Sequence, residues 1–185
     1  SNLAAGDRVP YGRPGSVMAD GTVLESRAFG RVISEGMLLS AEELGVPAAA
    51  DEFGILRLPS DSPVGADVAV YLGLDDAILD LSVTPDRGDL LSLLGIAREL
   101  YGLFPGAWWK NNPAEQTFEK NAAAWPAEFK GITLIGDGCG KYCLGLATGL
   151  KPGPSPLKTR IALSLLGMRP ISNMVDASNI AMLIL

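Results

Sequence analysis

The first forty residues carry turn signals so closely spaced that only short strands fit between them. Pro14–Gly15 and Asp20–Gly21 favour tight turns, since proline presets one backbone angle and glycine accepts a positive φ. The stretch around them, V-P-Y-G-R-P-G-S-V-M-A-D-G-T-V-L, points to a small barrel or sandwich rather than an α/β unit. Ser40 then opens S-A-E-E, a capping box in which Ser40 and Glu43 satisfy each other's backbone amides. The short helix it starts is expected to end at Gly45, and F-G-I-L-R-L-P at 53–59 reads as a returning strand.

The clearest helix spans about Asp89 to Leu103. Leu90, Leu93, Leu94, Ala97, Leu100, Tyr101 and Phe104 recur at three- and four-residue steps and predict one buried face. Asp86 or Asp89 is placed to cap its first amides, where the helix dipole favours an anion. Residues 105–130 read as a linker, in which Trp108, Trp109 and Trp125 are packing anchors rather than base-stacking platforms. Strands are expected at 131–135 and 142–150. Next, P-G-P-S-P at 152–156 sets up a helix with Ser155 as N-cap and Pro156 at its first position. Leu157, Ile161 and Leu165 form its buried stripe and Gly167 closes it. A last helix is expected to begin at Ser172 or Asn173. An apolar run through Leu185 follows with no terminating signal, so the chain reads as cut at this end, and with too few strands for a closed barrel it reads as cut at the start.

Composition narrows the chemistry. The 185 residues include no histidine, which removes imidazole general bases, Ser-His and Cys-His nucleophiles, and zinc sites built on imidazole. The two cysteines, Cys139 and Cys143, form neither a disulfide framework nor a four-ligand metal site, and Cys143 is expected to face the core. No metal site and no catalytic residue is expected. Nor is there a membrane span or a secretory leader, and reduced thiols suit a cytoplasmic protein. The net charge of −6 divides unevenly. Residues 46–100 hold three arginines against ten acids, whereas 141–185 hold Lys141, Lys151, Lys158, Arg160 and Arg169 against Asp176 alone. A surface meeting a phosphate backbone therefore belongs in the C-terminal segment, although lysines on a solvated helix give the same count.

Three motifs in order resemble the beta subunit of bacterial phenylalanyl-tRNA synthetase. S-E-G-M-L-L-S-A-E-E-L-G at 34–45, followed by G-I-L-R-L-P and P-V-G-A-D, is similar to the second half of that family's tRNA-binding oligonucleotide-fold domain. L-S-V-T-P-D-R-G-D-L-L-S-L-L-G-I-A-R-E-L at 81–100 is close to its T-P-N-R-x-D motif. Y-C-L-G-L, G-P-S-P and G-M-R-P-I-S-N-M-V-D-A-S-N resemble the opening of its editing domain. The implied fold class is α+β: a partial oligonucleotide-type barrel over 1–60, a helical linking module over 61–104, the linker 105–130, and the start of an editing domain over 131–185.

The resemblance implies a non-catalytic piece of an enzyme that joins phenylalanine to tRNA(Phe) with ATP and Mg2+. Its beta subunit binds tRNA and hydrolyses mischarged Tyr-tRNA within an alpha2beta2 assembly. The chain itself is expected to bind no cofactor and to be inactive alone. Its RNA-facing candidates are Arg27, Arg31, Lys151, Lys158, Arg160 and Arg169. Asn173, Asp176 and Asn179, three residues apart on one helix, either line a ligand pocket or cap and bridge local backbone. Arg87 is free to pair with Asp86 or Asp89. The sequence departs from the family where T-V-L-E-S-R-A-F-G-R at 22–31 replaces a lysine-rich strand and keeps only Arg27 and Arg31 basic. Two rivals remain: a stand-alone tRNA-binding, RNA-binding or protein-interaction module, and a free-standing deacylase. Open strand edges in 1–40 further predict a homodimer by strand pairing.

Overall fold

A computed structural model describes residues 2–50, 52–110, 125, 127, 129–133, 135–140, 142 and 144–185. The chain divides into two compact units. Residues 1–99 and 152–185 form one, and residues 100–151 form the other. The architecture is α+β, with small sheets and few helices among the described residues.

In the first unit the closely spaced turns do limit strand length. Strands β1 (Tyr11–Gly12), β2 (Arg27–Phe29), β3 (Val32–Ser34) and β4 (Met37–Leu38) form two antiparallel pairs, β1 with β4 and β2 with β3. Gly15 and Gly21 take φ of 90° and 84°, and the Asp20 carboxylate accepts the Thr22 amide at 2.8 Å, as their turn dipeptides require. The segment at 53–59 contributes isolated bridges rather than a continuous strand: Ser40 opposite Ile55 and Arg8 opposite Leu58.

The capping box forms. The Ser40 amide donates to Glu43 Oε2 at 2.6 Å and the Glu43 amide to Ser40 Oγ at 3.3 Å. It closes a turn over 41–45 instead of the expected helix, because Gly45 adopts φ 76° and ends the coil at once. A 3-10 turn at Pro47–Ala49 and the short helix α1 (Val68–Leu72) follow. Asp67 caps α1 by accepting the Ala69 amide at 2.8 Å.

The expected helix from Asp89 is shorter. Gly88–Leu91 is a 3-10 turn, and α2 runs Leu93–Leu103. Neither Asp86 nor Asp89 caps it. Ser92 does, through its hydroxyl on the Gly95 amide at 3.1 Å. Asp89 is engaged by Arg87, which also reaches Glu99. The expected buried stripe is also not realised. Leu93, Leu100, Tyr101 and Phe104 are exposed, and in α2 only Gly95 is fully buried.

The C-terminal helices are α3 (Leu157–Leu165) and α4 (Asn173–Ile184). Leu157 and Ile161 are buried with Leu163, and Leu165 packs partly buried against the same core. Gly167, at φ 77°, ends α3 by letting the Met168 amide reach back to the Leu163 carbonyl at 2.8 Å. The core of this unit joins distant parts of the sequence: Ala41, Val46, Ala49, Leu56 and Leu72 meet Leu157 and Ile161.

In the second unit, Tyr101 and Trp109 lie 5.7 Å apart, and Trp125 stacks on Phe129 at 4.4 Å. Trp108 is exposed, so it is not the packing anchor expected. The described residues of 131–135 and 142–150 form no regular strand, and Cys143 lies outside the described residues. Among the described residues, no helix is long and apolar enough to cross a membrane.

Candidate functional site

Of the polar residues expected on the last helix, Asp176 lies on its buried side. Ser172 caps α4 by accepting the Val175 amide at 3.5 Å, which turns Asp176 inward one turn later. Asp176 is fully buried. Its carboxylate accepts the Ser155 hydroxyl at 2.5 Å and the Ile171 amide at 2.9 Å. Burial pushes this carboxyl upward, but the Ser155 hydroxyl, the backbone amides of Ile171 and Ser172 and the charge of Arg160 outweigh it. The net result is a value below the ordinary carboxylate range. Ser155 is thus spent on Asp176 and does not cap α3; Pro156 occupies that position without a side-chain bond.

Arg160 is the one RNA-facing candidate that the fold withdraws from the surface. It is 7% exposed and donates to the Ala49 carbonyl at 2.7 Å, so its guanidinium is not presented to a phosphate. A cavity of about 350 Å³ borders Ser155, Arg160, Ile171 and Asp176. Asn173 bridges to Gly153, its amide donating to the Gly153 carbonyl at 2.8 Å and its Oδ1 accepting the Gly153 amide at 3.4 Å. Asn179 is half-buried. Of the two readings of this face, local bridging describes Asn173 and Asp176.

The remaining cations are distributed over separate elements. Lys158 is exposed, with its ammonium 4.5 Å from the centre of the Tyr71 ring. Arg169 is exposed before Pro170, and Lys151 is exposed in the second unit. Arg27 and Arg31 are exposed on the β2–β3 hairpin. Arg87 pairs with Asp89 at 2.9 Å and Glu99 at 2.7 Å; these bonds raise the arginine and lower the Asp89 carboxyl.

A second recess, of about 830 Å³, runs between residues 7–18 and 62–71, with Arg8, Tyr11, Arg13 and Tyr71 on its walls. Arg8 donates to the Ser62 carbonyl, and the buried Ser62 hydroxyl bonds the Tyr71 hydroxyl at 2.9 Å. None of these residues stands out in the sequence, since the pairings span 54 and nine positions. Ser155 was legible only as a helix cap.

No family model matches the chain. It is similar to curated proteins named phenylalanine–tRNA ligase beta subunit. That of Carboxydothermus hydrogenoformans is 39% identical over 183 residues, and that of Dehalococcoides mccartyi 40% over 194. That of Thermotoga maritima is 34% identical over 178 residues. These matches take in 96–98% of this chain but only 22% of each relative.

Proposed function

We propose that the chain, which is similar to phenylalanine–tRNA ligase beta subunits over about 22% of their length, is a non-catalytic, tRNA-positioning segment of such a subunit. In this reading residues 1–60 contribute part of an oligonucleotide-type barrel and 61–104 a linking module. Residues 105–130 are a linker, and 131–185 begin an editing domain. Its partners are tRNA(Phe) and an alpha subunit, which carries the ATP- and Mg2+-dependent joining of phenylalanine to tRNA.

The observation that carries the non-catalytic reading is the state of Asp176. A general acid or base must reach a substrate proton, and this carboxylate is fully buried with its oxygens committed to Ser155 and Ile171. The exposed Arg27, Arg31, Lys158 and Arg169 support the RNA-facing part, as cations free of Asp176. Incubation with Tyr-tRNA(Phe) tests the reading: the chain leaves the ester intact, while tRNA binding declines linearly with log salt. Release of tyrosine by this chain would overturn it.

A further inference from the structure

The 185 residues contain two Asp-Gly pairs, Asp20–Gly21 and Asp137–Gly138, and no Asn-Gly pair. Aspartate before glycine is where a side-chain carboxyl meets the following amide most easily, because glycine has no Cβ to obstruct the approach. Both pairs are exposed, so access to solvent does not separate them. Hydrogen bonding does. In the first pair the Asp20 carboxylate accepts the Thr22 amide at 2.8 Å, and the Gly21 amide donates to the Met18 carbonyl at 2.9 Å. The Met18 amide donates to the Thr22 carbonyl at 2.8 Å and closes the turn from the other side. The bond from the Thr22 amide also holds the Asp20 carboxyl below its ordinary value. The second pair lies in an irregular stretch between Gly136 and Gly140. There, among the described residues, neither the Asp137 carboxylate nor the Gly138 amide has a hydrogen-bond partner.

We propose that Asp137 is a site of spontaneous isomerisation to isoaspartate, and that its turn protects Asp20 from the same reaction. The Gly138 nitrogen attacks Asp137 Cγ and forms a C–N bond. One Cγ–O bond breaks, and that oxygen leaves as water with the carboxyl proton and the amide proton. Water then opens the resulting succinimide. Addition at the main-chain carbonyl leaves the chain running through the Asp137 side chain and frees the main-chain carboxylate, with no oxidant or reductant taking part. That carboxylate is the acceptor for an isoaspartyl methyltransferase, which moves a methyl group from the sulfonium of S-adenosylmethionine to the oxygen. At Asp20 the same attack requires the Gly21 amide to leave Met18 and the carboxylate to leave Thr22. Losing both bonds before ring closure slows the step about tenfold or more. This chemistry is independent of any RNA contact.

Prolonged incubation of the full chain at neutral pH and physiological temperature, with and without urea, tests the proposal. Tryptic peptides 9–27 and 131–141 carry the two aspartates separately. Isoaspartate in each is read by electron-transfer fragmentation and by methyl transfer from labelled S-adenosylmethionine with a purified isoaspartyl methyltransferase. In the folded chain the isomer at 137 exceeds that at 20 by about tenfold, and Gly138→Ala suppresses it. Alanine fits there, since nothing lies within 4 Å of where its Cβ would stand. In urea the isomer at 20 rises to within about twofold of that at 137, because unfolding removes the turn. Equal amounts at both sites in the folded chain, or none at 137, overturn the proposal. An unchanged yield in Gly138→Ala does the same. So does a difference that persists in urea, because the local sequences and not the fold would then set it.

Discussion

Asp176 sets the energetics of the C-terminal helices. A buried carboxylate is tolerated only when its oxygens are bonded, and here one hydroxyl and one amide do this. Asp176→Ala leaves the Ser155 hydroxyl and the Ile171 amide without their charged acceptor and costs about 3 kcal/mol in urea unfolding. The pH dependence has a definite sign. The folded carboxyl titrates below its ordinary 3.8, so its contribution is complete above the unfolded value and is lost as pH falls through the lowered one. The acid limb of the stability curve therefore steepens below about pH 4, and Asp176→Asn flattens it; an unchanged limb in that variant would refute the assignment. The sequence spacing of Asn173, Asp176 and Asn179 picked out Asp176, which the fold buries. It did not reveal that Asp176 turns inward, because Ser155 lies 21 residues away and only the fold brings it close.

At the scale of elements, what was legible depended on how local the signal was. The capping box, the two turn dipeptides, Gly167 and the start of α4 are set by neighbours within five residues, and each forms as its residues dictate. The start of α2 is not, because the bidentate pairing of Arg87 removes Asp89 from the capping role and leaves it to Ser92. Ser92→Ala accordingly lowers stability by about 1 kcal/mol, whereas Asp86→Ala leaves the urea midpoint in place. Gly95 gives a sharper test. In an ordinary helix interior, alanine outperforms glycine by up to about 1 kcal/mol. Here a Cβ at Gly95 would overlap the carbonyl oxygen of Asp89, so Gly95→Ala destabilises and displaces the Gly88–Leu91 turn. A rise in thermal midpoint would contradict this packing.

Across the whole molecule, the core of the first unit is assembled from segments far apart in sequence. Ile161 is 1% exposed among residues 41–72, a neighbourhood that periodicity in α3 predicts as buried without saying against what. Ile161→Ala removes methylenes from that junction and costs about 2–5 kcal/mol. Because the contacts are shared, amide exchange should accelerate in α3 and in residues 41–56 together. Acceleration confined to α3 would mean that the N-terminal segment holds its shape unaided. Lys158 on Tyr71 belongs to the same junction. The hydrophobic pattern of α2 misleads at this scale: it promises a covered face, yet Leu93, Leu100, Tyr101 and Phe104 on it are exposed.

The bond from Arg160 to the Ala49 carbonyl spans 111 residues, and this distance has a meaning in time. A ribosome adding about 5–20 residues per second needs roughly 5–20 s to travel that far. For that interval the turn at 47–49 and its apolar neighbours wait without α3, which supplies Leu157 and Ile161 to close them. The N-terminal turns can form as they emerge, but the core they enclose is completed only once α3 has been made. A nascent chain released before residue 161 should therefore be far more open to protease at 41–56 than one that includes α3.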